Sequence, residues 1–343
     1  MSKLRIGFVG VGNMGQAAHL RNYATLPECE VVALAEVRPK LGQEVARRYG
    51  IHHVYTSHRE MLEKEALDGV VAIQQFQNHI ALIPDLLAYG VPIMTEKPLA
   101  DTVAHGRAIL ESARVSSAPV YHAYHKRSDP AIAFAKGKIE EWTASGDFGP
   151  MRYVRITMPP GDWAREGFAS NIRTDESYDG LSVEWDLYIK FVNYYIHQVN
   201  LMRFLLGEDY EVLFADPGSI TLATRSTSGV SGLIEMAPYE TTLAWQESVL
   251  VAFQKGWIKV DLPAPMTLDE PGAVIVFEDP GGGATAKESR PSLPHIHAMR
   301  AQAQHFLRAI RGEAHPLCGA EDAFKDLLVA QAYVDLFEGK ARA

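Results

Sequence analysis

Short hydrophobic runs alternate with amphipathic stretches along the N-terminal third of the chain. Apolar runs bounded by turn residues predict strands, and apolar positions spaced three or four apart predict helices. The predicted strands are residues 4–9, 31–35, 69–73, 92–95 and 120–124. The predicted helices are residues 15–24, 40–49, 80–89 and 104–113. Such regular alternation predicts a parallel, doubly wound sheet.

The pattern changes after Pro130. A helix over 131–144 and a strand over 151–158 are predicted first. Alternating, β-rich stretches then predict an antiparallel open sheet, with strands at 219–224, 229–237, 243–253, 256–262 and 274–277. Residues 279–294, rich in glycine and proline, predict an exposed loop, and the pattern from 295 onward is helical with an interruption near Pro316. We therefore expect an α/β fold: a Rossmann domain over 1–125 and an α+β domain over 126–343, whose last helix packs back on the first domain.

Composition narrows the functional classes. The 343 residues suit two domains, and 33 basic against 42 acidic side chains give a net charge of −9. This charge disfavours nucleic acid and anionic membranes as partners, and no apolar run reaches the roughly 20 residues that span a bilayer. Cys29 and Cys318 are too few for a disulfide framework, so we expect a cytoplasmic protein without a secretory signal. The histidine pairs at 52–53 and 295/297 lack nearby carboxylate or cysteine partners, so no metal site is expected.

A glycine-rich turn follows the first predicted strand and opens the first predicted helix. Its sequence is Gly-Val-Gly-Asn-Met-Gly, in which the first glycine allows a tight turn. The second glycine lets the backbone approach a pyrophosphate, and the third lets helix and strand pack closely. The candidate cofactor contacts here are Gly10, Gly12, Asn13, Met14 and Gly15.

An acidic residue, Glu36, stands at the end of the second predicted strand, 21 positions after the last glycine of the loop. A carboxylate there accepts hydrogen bonds from the adenosine ribose and repels a 2′-phosphate, which favours NAD. Arg38 is close enough in sequence to hold such a phosphate, so NADP stays open.

A lysine, Lys97, follows the predicted strand over 92–95, at the edge where ligands bind in parallel sheets. Near a cationic nicotinamide its pKa would fall, and it could then exchange a proton with a substrate hydroxyl. Farther along, residues 185–206 predict one helix ended by Gly207. Lys190, Asn193, His197 and Asn200 share its polar face, opposite an apolar stripe with Tyr195. His197 is the best intrinsic match to a proton-transfer group.

In these motifs the chain resembles the Gfo/Idh/MocA family of sugar and inositol oxidoreductases. The glycine loop, Glu96-Lys97-Pro98, Tyr124 with Arg127 and Pro130, the turn at 146–149 and the Asp322-Ala323 helix occur in the family's order. The resemblance covers nearly the whole chain. It implies a catalytic Lys97, a Glu96 near the cofactor, and a second domain whose open sheet mediates assembly into a homodimer or homotetramer.

The chain also departs from the family pattern. Asn193 and Asn200 stand where acids are common, so Asn193 can orient a hydroxyl but cannot act as a base. Gln74-Gln75-Phe76 replaces the usual Thr-Pro, with His79 retained, and paired glycines are absent near Tyr188. Further candidates come from loops and strand ends. They are Gln74, Glu96 and His125 for the cofactor, and Tyr124, Arg127, Trp163, Arg173 and Tyr194 for the substrate.

These residues support one leading hypothesis and two alternatives. The leading hypothesis is an NAD(P)-dependent dehydrogenase of a sugar, sugar acid or inositol, in which Lys97 and His197 move the hydroxyl proton and Asn193 positions the hydroxyl. The first alternative is an NAD-dependent glycosidase that oxidises a ring carbon transiently and accumulates no NADH. The second is a non-catalytic sensor that binds NAD without turnover.

Overall fold

A computed structural model describes residues 2–164, 166–178, 180, 184–236, 239 and 245–340. The chain forms two compact units, each assembled from separate stretches of sequence. Unit 1 comprises Met1–Tyr124, Glu166–Asn193 and Met299–Leu327, and unit 2 comprises His125–Arg165, Tyr194–Ala298 and Leu328–Ala343. The domain boundary expected between 125 and 126 stays a prediction.

The helices and strands occur in the following chain order. The strands are β1 (Leu4–Val9), β2 (Cys29–Ala35), β3 (His53–Tyr55), β4 (Gly69–Ala72), β5 (Ile93–Thr95), β6 (Val120–His122), β7 (Met151–Thr157), β8 (Tyr210–Ala215), β9 (Thr221–Ser226), β10 (Ser231–Glu235), β11 (Glu247–Phe253), β12 (Gly256–Leu262), β13 (Ala273–Glu278) and β14 (Lys287–Ser289). The α-helices are α1 (Arg21–Tyr23), α2 (Pro39–Tyr49), α3 (His58–Lys64), α4 (His79–Leu87), α5 (Val103–Val115), α6 (Pro130–Ser145), α7 (Leu187–Tyr194), α8 (Ile196–Leu206), α9 (Ala298–Ile310) and α10 (Ala320–Phe337). A π-helical turn, Gly15–Leu20, leads into α1, and short 3₁₀ turns occupy Phe76–Asn78 and His125–Ser128.

Unit 1 is built on a six-stranded parallel sheet in the order β3-β2-β1-β4-β5-β6. This is the strand order of dinucleotide-binding folds, and it confirms the expected doubly wound sheet. Strand β4 and the last four residues of β1 are buried on both faces, as continuous hydrophobic runs require. Helix α9 returns late in the chain to complete this core, where the Phe306 ring lies 5.1 Å from Tyr121 and 6.5 Å from Tyr23.

Unit 2 is built on an eight-stranded sheet in the order β14-β13-β12-β11-β7-β10-β9-β8. Its strand pairs are antiparallel except for β7 with β10, so the prediction of a largely antiparallel sheet is confirmed. Strand β7 alternates buried with half-buried positions, and its inward residues include Val154 and Ile156. Helices α6 and α8 pack on the sheet in this unit.

Four sequence-based expectations were wrong in detail. The helix expected over 185–206 is two helices, α7 and α8, separated at Tyr195. The loop expected over 279–294 contains β14, a three-residue edge strand too short to show a periodic pattern. Strands β3 and β8 and helix α3 were missed; β8 carries a register shift between Val212 and Phe214 that disrupts alternation. The first helix begins as a π-helical turn.

Within the described part of the chain, no helix has both the length and the apolar character needed to cross a bilayer.

Candidate active site

The glycine loop after β1 has the backbone geometry that its residues predict. Gly10 has a φ of +88°, and a Cβ there would lie 2.3 Å from the carbonyl oxygen of Ile73. A Cβ on Gly15 would lie 2.6 Å from the carbonyl oxygen of Gly10, so only glycine permits this turn-to-helix packing. At Gly12 the nearest atom to a Cβ would be an Arg38 nitrogen, 3.6 Å away. The loop backbone is therefore open at Gly12, and the residues fit the pyrophosphate of NAD.

The carboxylate of Glu36 is almost fully buried at the end of β2 and accepts hydrogen bonds from four donors. One oxygen accepts from the Val11 backbone N–H at 2.9 Å and from the Arg38 guanidinium at 3.1 Å. The other oxygen accepts from the Arg38 Nε–H at 2.7 Å and the Arg38 backbone N–H at 3.2 Å. Because a carboxylate offers about four acceptor sites, Glu36 can bind a ribose diol only if Arg38 gives up part of this contact.

A segment over 166–178 packs against the glycine loop within unit 1. Gln16 joins the two, because its side-chain amide accepts from the Ile172 N–H at 2.8 Å and donates to the Ile172 carbonyl at 3.1 Å. The Asn171 amide donates to the carbonyl of Asn13 at 3.1 Å. Arg173, expected to bind substrate, is exposed on this segment, where residues 172–175 line a surface cavity together with Pro39, Lys40, Gln43 and Glu44. The structure thus places Arg173 beside the start of α2.

The first residue of the Glu96-Lys97-Pro98 motif forms a buried pair with a histidine. His19 Nε2 lies 2.7 Å from Glu96 Oε1. Burial acts to raise the pKa of Glu96, but the hydrogen bond from His19 and the nearby charges of His19 and Lys97 outweigh it and lower the pKa. Glu96 is therefore held as a carboxylate.

The backbone that follows Lys97 is held by His79, which is fully buried at the start of α4. His79 Nδ1 lies 3.1 Å from the Pro98 carbonyl oxygen and 3.2 Å from the Leu99 carbonyl oxygen. Burial lowers the pKa of His79, so the ring stays neutral and donates its single N–H from Nδ1 to these carbonyls. The Lys97–Pro98 bond is cis.

The third contact of the motif joins Lys97 to the end of α7. Lys97 Nζ donates to the backbone carbonyl of Asn193 at 2.7 Å. In an unbroken helix that carbonyl would accept from the N–H of residue 197, but the helix separates at Tyr195. The break frees the Asn193 carbonyl, and the lysine ammonium takes the place of the missing backbone donor. Asn193, expected to act through its side chain, contacts Lys97 through its backbone.

In unit 2, His197 and His125 form a close aromatic pair. Their ring centroids are 4.8 Å apart and the ring planes meet at 71°. His197 is half-buried near the start of α8, and His125 is buried in the 3₁₀ turn that precedes α6. The pairing of the two histidines was not apparent from sequence, because 71 residues separate them and neither lies in a motif with the other.

Arg127, expected to bind substrate, is buried and hydrogen-bonded to both the side chain and the backbone of Asn200. Its guanidinium also lies 5.0 Å from the Phe204 ring centroid. Tyr194, half-buried, places its hydroxyl 3.5 Å from the Pro159 carbonyl. The backbone carbonyl of Trp163 accepts weakly from the Met266 N–H at 3.4 Å.

The expected residues thus fall into three local groups. The glycine loop, Glu36, Arg38 and Gln74 meet at one edge of the unit 1 sheet, where Gln74 lies directly against Gly10. Glu96, Lys97 and Asn193 meet after β5, also in unit 1. Arg127, His125 and His197 lie in unit 2, while Tyr124 is buried at the end of the first stretch of unit 1. No group of three or more histidine, cysteine or carboxylate side chains with metal-site geometry occurs among the described residues.

Sequence reasoning missed His19 and the role of His79. His19 follows Gly15 by four positions, so it faces the same side of the helix, and it stands between Ala18 and Leu20. That polar interruption on a buried face was the available signal. The hydrogen bonds from His79 to the Pro98 and Leu99 carbonyls connect positions 19 and 20 residues apart and become visible only in the folded chain.

Comparison with known proteins adds an independent line of evidence. Residues 4–124 match the profile of the Gfo/Idh/MocA family, described as an oxidoreductase family with an NAD-binding Rossmann fold. The chain is 23% identical to myo-inositol 2-dehydrogenase of Thermotoga maritima, over 98% of this chain and 97% of the relative. It is 25% identical to the rhizopine catabolism protein MocA of Rhizobium meliloti, over 98% and 96%. A solved structure of levoglucosan dehydrogenase with NADH and levoglucosan superposes with a TM-score of 0.74 at 18% identity, covering 99% and 98% of the two chains.

These matches agree with the six-stranded sheet and with the glycine loop built at its edge. The family is NAD-binding, and the loop backbone fits that cofactor. Residues 4–124 thus match the NAD-binding Rossmann domain of the Gfo/Idh/MocA oxidoreductase family, and the chain as a whole is similar over nearly its full length to the two relatives named above.

Proposed function

We propose that this chain is an NAD-dependent dehydrogenase that oxidises a secondary hydroxyl of a sugar, sugar acid or inositol. The observation that carries the proposal is the set of contacts on the Glu96-Lys97-Pro98 motif, which holds one lysine ammonium at a defined place after β5. The names of the relatives, which include dehydrogenases of myo-inositol and levoglucosan, support the substrate class.

Lys97 is proposed as the group that exchanges a proton with the substrate hydroxyl. Its ammonium is held by the Asn193 carbonyl, while its backbone N–H lies 3.2 Å from the Glu96 carboxylate, which restricts both ends of the residue. His197 is proposed as a second proton carrier, and the Asn193 side chain as the group that orients the hydroxyl. Bound NAD supplies the hydride acceptor, and the protein contributes orientation and electrostatics.

The cofactor preference follows from Glu36 and Arg38. We infer a preference for NAD because the Glu36 carboxylate is fixed at the end of β2 by the loop N–H of Val11. The adjacent Arg38 guanidinium neutralises that carboxylate, so NADP binding is weakened rather than abolished.

A substrate screen with two lysine variants tests the proposed activity. NAD or NADP is supplied with free sugars, sugar acids, inositols, levoglucosan and aryl glycosides, and NADH absorbance and released aglycone are both recorded. We expect NADH to accumulate with one polyol class. Lys97→Met should lower kcat roughly 10²- to 10⁴-fold, the usual contribution of a positioned proton-transfer group, and leave NAD binding intact. Lys64→Met, which removes an exposed lysine on α3 of unit 1, is the matched control and should retain activity.

The two alternatives give different results in the same screen. Aglycone release that needs NAD but leaves no net NADH would establish the glycosidase, for which the relatives named above give no support. NAD binding without turnover, unchanged in Lys97→Met, would establish the sensor.

We also propose a homodimer or homotetramer in the cytoplasm. Leu213 and Phe214 of β8 are 39% and 51% exposed at the edge of the eight-stranded sheet, and such exposed apolar side chains favour burial against a second copy. Cys29 and Cys318 are both buried and neither forms a disulfide, which suits a reducing compartment. Light scattering coupled to size-exclusion chromatography tests the assembly, and cell fractionation tests the location.

A further inference from the structure

Unit 2 contains an ion pair that is almost completely removed from solvent. Lys126 Nζ lies 2.6 Å from Glu247 Oε2, and the two side chains are 5% and 0% exposed. Taking both charges out of water costs free energy that their attraction often fails to recover, so a pair of this kind is weak evidence for stability. We therefore looked for a role of this ion pair in the other contacts that its two side chains make.

The Glu247 carboxylate joins three parts of unit 2. Besides Lys126, it accepts from Gln198 Nε2 on Oε1 at 2.8 Å and from the Trp245 indole N–H on Oε2 at 3.2 Å. The three donors come from the 3₁₀ turn before α6, from α8, and from the residues just before β11. Hydrogen bonds to an ionised group are stronger than neutral ones, so this carboxylate restrains all three segments.

The positions of these donors connect them to the histidine pair. Lys126 is the residue after His125, and Gln198 is the residue after His197. The one carboxylate therefore holds the side chain of the residue next to each of the two histidines, whose ring centroids lie 4.8 Å apart. A second contact between the same two segments, from Arg127 to Asn200, follows directly along the chain.

We propose that Glu247 is a positioning residue, which sets the distance and angle of the His125–His197 pair through Lys126 and Gln198. The charge of Glu247 also acts on Tyr194. Burial, and to a smaller extent this negative charge, raise the pKa of the Tyr194 phenol to about 12. The functional part of this proposal rests on the proposed role of His197 in proton transfer.

The first test measures the histidine pair without substrate. The chain is labelled with ¹⁵N-histidine, and the ring signals of His125 and His197 are assigned by replacing each with glutamine. In Glu247→Gln, which keeps the size of the side chain but removes its charge, both sets of signals should shift. The matched control is Glu278→Gln, which breaks the ion pair between Lys138 and β13 in the same unit, and should leave them unchanged. Unshifted His125 and His197 signals in a folded Glu247→Gln protein would overturn the proposal.

A companion variant covers the case in which Glu247→Gln does not fold, because it leaves the Lys126 charge buried and unpaired. The double variant Lys126→Met/Glu247→Leu removes both charges and fills their volume with apolar side chains, an exchange that is often neutral for stability. It should fold and show the same displaced histidine signals. Wild-type signals in this double variant would equally refute the positioning role.

The second test is a double-mutant cycle on the turnover of whichever panel polyol is oxidised. Glu247→Gln should lower kcat roughly 10- to 100-fold, as misplacement of a catalytic group does, with NAD binding unchanged. In a His197→Ala background the same substitution should cause no further loss. A loss that persists in full would show that Glu247 acts independently of His197 and would refute the proposal. Full activity of His197→Ala alone would instead refute the proposed role of His197.

Discussion

His122 makes unit 1 sensitive to acid. The side chain is 4% exposed in β6, opposite Thr95 of β5. Burial and, after it, the neighbouring His79 lower the pKa of His122 from 6.5 to about 3, against weaker opposing contributions from the Glu96 backbone and from Asp322. The folded chain therefore keeps this imidazole neutral at any pH near neutrality.

The direction of the effect follows from proton linkage. Below pH 6.5 the unfolded chain binds a proton at His122 and the folded chain does not, so the free energy of unfolding falls as the pH falls. At pH 5 this one group lowers the free energy of unfolding by about 2 kcal/mol relative to pH 8, and near pH 3 it lowers it by about 4 kcal/mol. Burial lowers the pKa of His79 as well, so that residue acts in the same direction.

The assay is urea unfolding followed by far-ultraviolet circular dichroism at pH 8, 6.5 and 5. The free energy of unfolding of the wild type should fall by at least about 2 kcal/mol from pH 8 to pH 5. In His122→Asn and His122→Phe, one polar and one apolar, the fall in unfolding free energy over that range should be smaller than in the wild type by about 2 kcal/mol, whatever their stability at pH 8. The exposed His52 provides the control, because His52→Asn should keep the wild-type pH dependence. An unchanged pH dependence in both His122 variants would refute the reasoning.

Two further predictions concern the cofactor edge of unit 1. Arg38→Leu releases the Glu36 carboxylate from its guanidinium partner, so the preference for NAD over NADP should rise roughly 10-fold or more in KM measured with each cofactor. An unchanged ratio would show that Arg38 does not influence the 2′ position. Gly15→Ala places a Cβ 2.6 Å from the Gly10 carbonyl oxygen, so it should lower Tm and weaken NAD binding measured by calorimetry. Wild-type values for both quantities would contradict the packing argument.

The sequence predicted five of the six strands of the N-terminal sheet, because the pattern and its physical cause are local there. Continuous apolar runs specify strands buried on both faces, and Gly50, with a φ of +67°, ends α2 where the sequence placed its end. The steric reasons for Gly10 and Gly15 are likewise properties of one turn. At these strands and turns, few other backbone conformations are compatible with the local sequence.

The rest of the candidate site depends on contacts between distant positions. The helix breaks at Tyr195 without a glycine or proline that would indicate the break in the sequence. The Asn193 carbonyl accepts a hydrogen bond from Lys97, which lies 96 residues earlier. Glu247 is the first residue of β11, a position where an acidic residue does not predict a buried contact. Its partners Lys126 and Gln198 are 121 and 49 residues away. Patterns within one element cannot reveal such pairs, since each partner fits its own element without the other.

Unit 1 closes its core with α9, and this order along the chain has a consequence for synthesis on the ribosome. All six strands of the parallel sheet are complete by residue 122, yet the Phe306 ring that packs against Tyr23 and Tyr121 is translated more than 180 residues later. A nascent chain therefore carries an uncovered aromatic surface while the whole of the second sheet is made. Fragments that end before residue 299 should expose that surface permanently and aggregate, so the N-terminal sheet is a poor candidate for isolation as a free-standing cofactor-binding module.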